Sequence, residues 1–263
     1  MLIERRARLG AAALLVAGAA VLSGCAAPGQ GATTSDGAPA ATVATSAPAV
    51  ASPSPSATEA FDVAEVLKAA GTAPYSAQVE ISATMDNQVA QTMTGRLNFN
   101  SPDKGMLRVR SGDVVPQDRA VDMEVVRVGG TTYTRDLSKN GDRTWQQTAV
   151  GGSSTAGDYA LFAQLLLQGG PGARKGIEQQ GGVPAHHLSG RLTTDQVGTV
   201  DQETYKTLLA MNSKQMTYDV WVDAKGHVIR FEQSFTAAPS MKKARNIVVL
   251  SDFGPTVPVR APK

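Results

Sequence analysis

Apolar and polar side chains alternate along two long stretches early in the chain. The first stretch runs from Tyr75 to Met85, and the second follows the polar turn Asp86-Asn87 and ends at Phe99. A period of two predicts strands with one buried and one solvated face. Two such strands joined by a short polar turn predict an antiparallel hairpin.

The same alternation returns in the last third of the chain. Met216 to Asp223, Val228 to Thr236 and Arg245 to Leu250 predict a three-stranded meander. Shorter strands are predicted at 106–110, 121–128, 131–135, 183–192 and around Trp145. These strands, about nine in all, lie close together in sequence, which favours antiparallel pairing.

Three other segments have the apolar spacing of helices. They cover residues 61–71, 158–168 and 194–212, and the second is apolar around more than half of its circumference. Helices and strands together predict one α+β domain over residues 60–258, followed by a short tail at 259–263.

The N-terminus has the three-part pattern of a secretory signal. Three arginines, at positions 5, 6 and 8, precede an uncharged stretch from Leu9 to Leu22. That stretch is shorter than the roughly 20 residues of a transmembrane helix. The chain has 25 basic and 23 acidic residues, and removing residues 1–24, which include the three arginines and Glu4, leaves 22 of each.

The signal ends in Leu22-Ser23-Gly24-Cys25, which resembles the bacterial lipobox. The resemblance implies cleavage before Cys25, a diacylglyceryl group on its sulfur and an amino group open to a third acyl chain. Two or more chains anchor a protein stably, so we expect a lipid-anchored protein on the extracytoplasmic face of the cell membrane. The alternative is an ordinary export signal followed by an incidental thiol.

Residues 25–59 are expected to form a disordered tether. Of the 33 residues from 26 to 58, 29 are Ala, Ser, Thr, Pro or Gly. Such a segment buries too little apolar surface to offset its ordering entropy. The tether would therefore hold the folded domain away from the membrane surface.

The composition argues against several kinds of function. A single cysteine excludes an intrachain disulfide, and a balanced charge gives no support to nucleic-acid binding. His186 and His187 are adjacent on a predicted strand and point to opposite faces, so we expect neither a metal site nor a cofactor. No G-x-S-x-G motif or other catalytic set is present, which argues against an enzyme.

Several features together resemble the actinobacterial LppX/LprG lipoprotein family, whose fold is similar to that of the lipoprotein carrier LolA. They are the lipobox, the tether, the first helix, the long strands and the segments 218–230 and 251–258. The resemblance implies a strongly curved antiparallel sheet, a half-barrel, with helices covering its concave face. In that family the enclosed apolar cavity takes the acyl chains of lipids or glycolipids.

The alternation assigns a set of residues to the inward face of such a sheet. These candidate cavity-lining residues are Val79, Ile81, Met85, Met93, Leu97, Met123, Val125, Met216, Tyr218, Val220, Ile229 and Phe231. The four methionines in this set suit a soft lining for flexible chains. The alternative is that the same side chains fill the interior completely and bind nothing.

Three hypotheses for the function follow. The first is a lipid-binding carrier at the cell envelope, with a lipid or glycolipid as its ligand. The second is a non-catalytic accessory or sensor lipoprotein that acts through an unknown protein partner and has a filled core. The third, an envelope hydrolase, ranks last because no catalytic set can be assembled.

Overall fold

The structure is a computed structural model that describes residues 61–148, 159–237 and 242–263. Within these residues it contains four α-helices, eleven β-strands and a short 3-10 turn at Pro171–Ala173. The helices are α1 (Val63–Ala70), α2 (Tyr159–Gln168), α3 (Thr194–Gly198) and α4 (Gln202–Ala210). The strands are β1 (Tyr75–Met85), β2 (Gln88–Phe99), β3 (Gly105–Ser111), β4 (Asp122–Val128), β5 (Thr131–Asp136), β6 (Gln146–Thr148), β7 (Arg174–Gln180), β8 (Val183–Thr193), β9 (Gln215–Asp223), β10 (Val228–Ala237) and β11 (Lys242–Gly254).

All eleven strands form one antiparallel sheet in the order β6-β5-β4-β3-β2-β1-β11-β10-β9-β8-β7. The sheet is open, because β6 and β7 form its two edges and do not pair with each other. The predicted hairpin and meander are both present and lie side by side, since β1 pairs with the last strand, β11. The first and last strands of the chain are therefore neighbours at the centre of the sheet.

The segment that follows β11 is fixed across the ends of β1 and β2. The hydroxyl of Ser76 donates to the carbonyl of Pro255 at 2.8 Å. Asn98 donates to the carbonyl of Val257 at 2.8 Å and accepts from its backbone N–H at 2.9 Å. These bonds satisfy buried polar groups at the seam between the first and last strands.

Two of the four register shifts in the described strands change which face an apolar side chain occupies. One lies between Ala83 and Thr84 and shifts the register of β2, so Val89 faces solvent and is 40% exposed. The other lies between Val228 and Arg230, where the pairing of β10 with β9 shifts. A bulge inserts one residue and changes the face of its neighbours.

The helices confirm the predicted segments with one correction. The helix predicted over 194–212 is two helices, because α3 ends at Gly198 and α4 begins afresh after Asp201, whose side chain caps Glu203 and Thr204. The alternation also missed β7, an edge strand in which only Ile177 is a large apolar residue. An edge strand buries little, so its sequence carries little periodicity.

One large apolar cluster joins the helices to a single face of the sheet. It contains Val63 and Leu67 of α1, Phe162 and Leu166 of α2, and inward residues from β1 to β3 and from β8 to β11. We call this helix-covered side of the curved sheet the concave face and the opposite side the convex face. The α+β class with a curved antiparallel sheet, predicted from the sequence, is confirmed.

Candidate functional site

The concave face brings most of the predicted lining residues together. Eight of them belong to the main buried cluster, none more than 4% exposed: Val79, Ile81, Met93, Leu97, Met216, Tyr218, Val220 and Phe231. Met123 and Val125 are half-buried and pack against the same cluster. Whether these side chains contact a ligand stays a prediction.

Two members of the predicted set lie elsewhere. Met85 is half-buried at the end of β1 and is not part of the main cluster. Ile229 was expected on the concave face, but it packs with Ala185 and Trp221 in a separate small cluster. The bulge between Val228 and Arg230 explains this difference, because it turns Ile229 onto the convex face while Phe231 keeps the inward position.

Helix α2 covers the concave face with aromatic rings. It packs against β8, β9 and β10. The ring of Tyr159 lies 4.7 Å from that of Phe231, and the ring of Phe162 lies 5.1 Å from that of Tyr218. These distances are those of direct aromatic contact, so the space directly beneath α2 is occupied by side chains.

A row of polar side chains crosses the concave face and was missed by the sequence analysis. The register aligns Gln91, Ala83, Asn246, Gln233, Tyr218 and Gly190 on six neighbouring strands, from β2 to β8. We call Gln91, Asn246, Gln233 and Tyr218 the polar row. The signal was present in the sequence, because three amides occupy positions that the alternation assigns to the buried face.

Two atoms of the polar row are buried without a hydrogen-bond partner in the described residues. They are Oε1 of Gln91, a residue that is 7% exposed, and the hydroxyl of Tyr218, which is fully buried. Burial raises the pKa of the Tyr218 phenol well above its usual range, and the charge of Asp201 adds to this. The hydroxyl therefore keeps its proton and remains a hydrogen-bond donor.

A solvent-facing pocket of about 380 Å³ opens where β8, β9 and β10 reach the end of the sheet. Its lining residues are Arg191, Ser213, Lys214, Gln215, Met216, Thr217, Ser234, Phe235 and Thr236. Arg191 and Lys214 form no ion pair with any described acid. Met216 belongs to the buried cluster and Phe235 packs against it. This rim pocket thus lies at the end of the sheet between its two faces. Arg191, Thr217 and Ser234 have the convex orientation in the register, and Met216 and Phe235 have the concave one.

The convex face carries a histidine between two carboxylates. Nδ1 of His187 lies 2.9 Å from Glu178, and Nε2 lies 2.9 Å from Asp219. Trp221 stacks on the His187 ring at 4.3 Å and donates its N–H to Glu178. This bond and that from His187 hold the pKa of Glu178 below its ordinary value. Both ring nitrogens are engaged, so neither is left to activate a nucleophile.

Other predicted features can be placed only in part. Cys25, the signal at 1–24 and the tether at 25–59 lie outside the described residues. Across 61–148, 159–237 and 242–263, no group of three or more His, Cys, Asp or Glu is placed to hold a metal ion. No helix in these ranges is long and apolar enough to cross a membrane.

No protein-family model and no curated protein matches the chain. Its structure is similar to crystal structures of two mycobacterial lipoproteins. LprF from Mycobacterium bovis is 14% identical over 76% of this chain and 94% of its own, with a TM-score of 0.46. LppX from Mycobacterium tuberculosis is 11% identical over 75% of this chain and 96% of its own, with a TM-score of 0.44.

A third similar structure is a DUF1329 family protein from Desulfovibrio piger, 8% identical with a TM-score of 0.25, covering 75% of this chain and 92% of its own. The lipoprotein family that the sequence resembles is thus also present among the structural matches.

Proposed function

We propose that this chain is a non-catalytic, membrane-anchored lipoprotein that binds the acyl chains of lipids or glycolipids against its concave face. The observation that supports this most is the rim pocket. It is open to solvent, and it reaches Met216 and Phe235 at the border of the apolar interior. An opening of this kind gives an amphiphile a route from water to apolar side chains.

The chemistry of the two ends of this route suits a lipid. Lys214 offers positive charge to a polar or anionic head group at the rim of the concave face. Beyond Lys214, Met216 and Met93 belong to an apolar cluster that spans seven strands of the sheet. Methionine side chains adapt to flexible chains better than branched ones do. Transfer of the lipid between membranes is a further step that this proposal permits.

We also propose that Cys25 carries the membrane anchor on the extracytoplasmic face. The proposal rests on the lipobox resemblance and on the position of the chain's one cysteine directly after the signal. Denaturing mass spectrometry of protein extracted from membranes should give a chain that begins at residue 25 and carries at least a diacylglyceryl group. Cys25→Ala should abolish that modification, and membrane retention unchanged by the substitution would refute the anchor.

A second candidate function is an accessory or sensor lipoprotein with a filled core. The aromatic contacts between α2 and the sheet favour it, because Tyr159, Phe162 and Phe231 leave no free space where their rings meet. In this case the protein would act through a protein partner at its surface.

Native mass spectrometry separates the two candidates. The full chain is expressed in a lipid-containing host, extracted in a neutral detergent and examined before and after delipidation. Lipid binding predicts copurified lipids with defined acyl chains, and renewed uptake of added phosphatidylglycerol after delipidation. A chain that carries no non-covalent lipid and takes up none would overturn lipid binding and leave the accessory function.

A further inference from the structure

The polar row occupies the part of the concave face where an apolar surface is expected. On one side it is bordered by Ile81, Met93, Val248, Phe231 and Val220, and on the other by Ala244, Phe235, Met216 and Leu192. All of these neighbours are apolar, and all except Phe235 are buried. The amides and the phenol therefore form a narrow polar band between two apolar bands.

Buried polar groups are almost always hydrogen-bonded, since leaving one unpaired costs stability. Oε1 of Gln91 and the hydroxyl of Tyr218 depart from that rule in the described residues. Phenylalanine at position 218 would pack equally well on Phe162 without an unpaired group. The unpaired hydroxyl thus needs a partner that comes from outside the described chain.

We propose that the polar row is a hydrogen-bonding subsite for the ester linkages of a bound lipid, so that the ligand is an acyl ester of a polyhydroxylated alcohol. This inference rests on the proposed lipid binding and names its ligand class. Tyr218 donates to an ester carbonyl, and Gln91 accepts from a hydroxyl group. Gln233 and Asn246 carry amides that both donate and accept. A hydrocarbon chain offers none of these partners.

The depth of the row agrees with this arrangement. Met216 and Phe235 border the rim pocket, and Tyr218 and Gln233 lie two residues further along the same strands, about 7 Å deeper. Lys214 also lines the rim pocket, two residues before Met216, so a head group beside it would place the ester linkages, a few bonds away, close to the polar row. The acyl chains would then continue over the part of the apolar band that includes Ile81 and Met93, away from the strands that α2 packs against.

Two lipids that differ only in the linkage test the subsite. Dioleoyl phosphatidylglycerol and its ether-linked analogue share the head group and chain length, but only the first has carbonyl oxygens. The full chain, delipidated in a neutral detergent, is given equal amounts of both, and the bound species are counted by native mass spectrometry. We expect a preference of about five-fold for the ester lipid, the effect of one hydrogen bond.

Tyr218→Phe should abolish this preference, whereas Tyr133→Phe on β5 should retain it. Tyr133 is opposite Val126 on the convex face and provides a matched loss of a hydroxyl. Without lipid, Tyr218→Phe should unfold at the same or a higher denaturant concentration than the wild type, because the hydroxyl it removes has no protein partner. Gln91→Met gives a second variant, which should weaken the binding of both lipids and retain the preference, because Gln91 accepts from a hydroxyl that both lipids carry.

Each outcome has a definite meaning. Equal binding of ester and ether lipid by the wild type would overturn the subsite and leave the proposed lipid binding intact. A preference that survives Tyr218→Phe would also overturn it. If the wild type bound neither lipid, the proposed function itself would fail.

Discussion

The two faces of the sheet satisfy their polar groups in different ways. On the convex face, Glu232 is buried and receives hydrogen bonds from both Arg230 and Arg245. On the concave face, Tyr218 is buried just as deeply, and its hydroxyl has no partner in the described residues. The same strands therefore carry a paired polar surface on one side and, on the other, a polar row in which Gln91 and Tyr218 each have an atom without a partner in the described residues.

The pairing on the convex face extends across the sheet. Arg108 donates two hydrogen bonds to Asp122 at 2.9 Å, and Arg135 pairs with Glu124. Arg96 pairs with Asp252 at 2.5 Å. Neighbouring strands are thus joined by side chains as well as by the backbone ladder. This difference indicates that the side-chain pairs of the convex face stabilise the sheet, whereas the concave face retains polar atoms that can bind a ligand.

The largest predicted effect is the loss of an aromatic anchor on the concave face. Phe231 lies 4.7 Å from Tyr159 and 5.2 Å from Phe162, and it is 2% exposed. Phe231→Ala should lower the free energy of unfolding by about 3–5 kcal/mol, because it removes buried contacts and leaves a cavity. Urea denaturation measures the change.

Tyr133→Ala is the control for that substitution. Tyr133 is a half-buried ring on the convex face, and its removal should cost less than about 2 kcal/mol. If Phe231→Ala cost no more than Tyr133→Ala, the concave face would not be the main source of stability.

The next effect concerns the buried carboxylate of the convex face. Glu232→Gln should destabilise the fold by about 1–2 kcal/mol, because two guanidinium groups lose a charged acceptor but remain partly solvated. The arginine side chains are 30% and 49% exposed. Glu80→Gln is a matched control, since Glu80 is exposed on the same face and forms no ion pair with a described residue. Equal effects of the two substitutions would show that the Glu232 pairing adds nothing.

The smallest effect is a pH dependence. Hydrogen bonds from Arg108 hold the pKa of Asp122 below its ordinary value of 3.8, although partial burial opposes them. A lowered folded-state pKa adds stability above the unfolded pKa, and this is lost as pH falls through the folded pKa. The contribution should be under about 1 kcal/mol, because the pair is partly exposed.

Urea titrations of the wild type and of Asp122→Asn, made between about pH 6 and about pH 2.5, test that dependence. The difference in stability between the two proteins should shrink toward the acidic end. A difference that stays constant over the whole range would mean that the ion pair does not contribute.

The regular parts of this fold could be predicted from alternation alone, and the irregular parts could not. The bounds of β1 follow directly from its period of two, and α2 begins within one residue of its predicted start. Ile229 was assigned to the wrong face because a bulge depends on the pairing with β9, which the sequence of β10 does not contain. The split between α3 and α4 is explained by Asp201, which caps the start of α4. The apolar spacing over 194–212 fits one continuous helix and gives no sign of this second start.

The polar row shows a different kind of limit. Alternation assigns Gln91, Gln233 and Asn246 to the inward face of three different strands. In any one strand, however, a single amide at such a position looks like an ordinary break in the apolar pattern. Only the strand order, in which β1 lies between β2 and β11, aligns them in one row. The candidate site therefore required the topology, whereas its apolar surroundings required only the pattern.

The central claim is that the concave face, and not the convex one, contacts acyl chains. Ala83 and Ser82 are neighbours on β1 with opposite orientations, and Ala83 lies between Gln91 and Asn246 in the register. Both side chains are half-buried. Phenylalanine at either position therefore places the same bulky side chain on one face or on the other, at consecutive positions of one strand.

The decisive measurement is the uptake of phosphatidylglycerol by delipidated Ala83→Phe and Ser82→Phe, followed by native mass spectrometry. We predict that Ala83→Phe folds with nearly unchanged stability and binds at least about ten-fold less lipid, a change of roughly 1.4 kcal/mol, while Ser82→Phe binds like the wild type. Equal binding by both variants would contradict the claim. Strong destabilisation by Ala83→Phe alone would show a filled interior and contradict it as well.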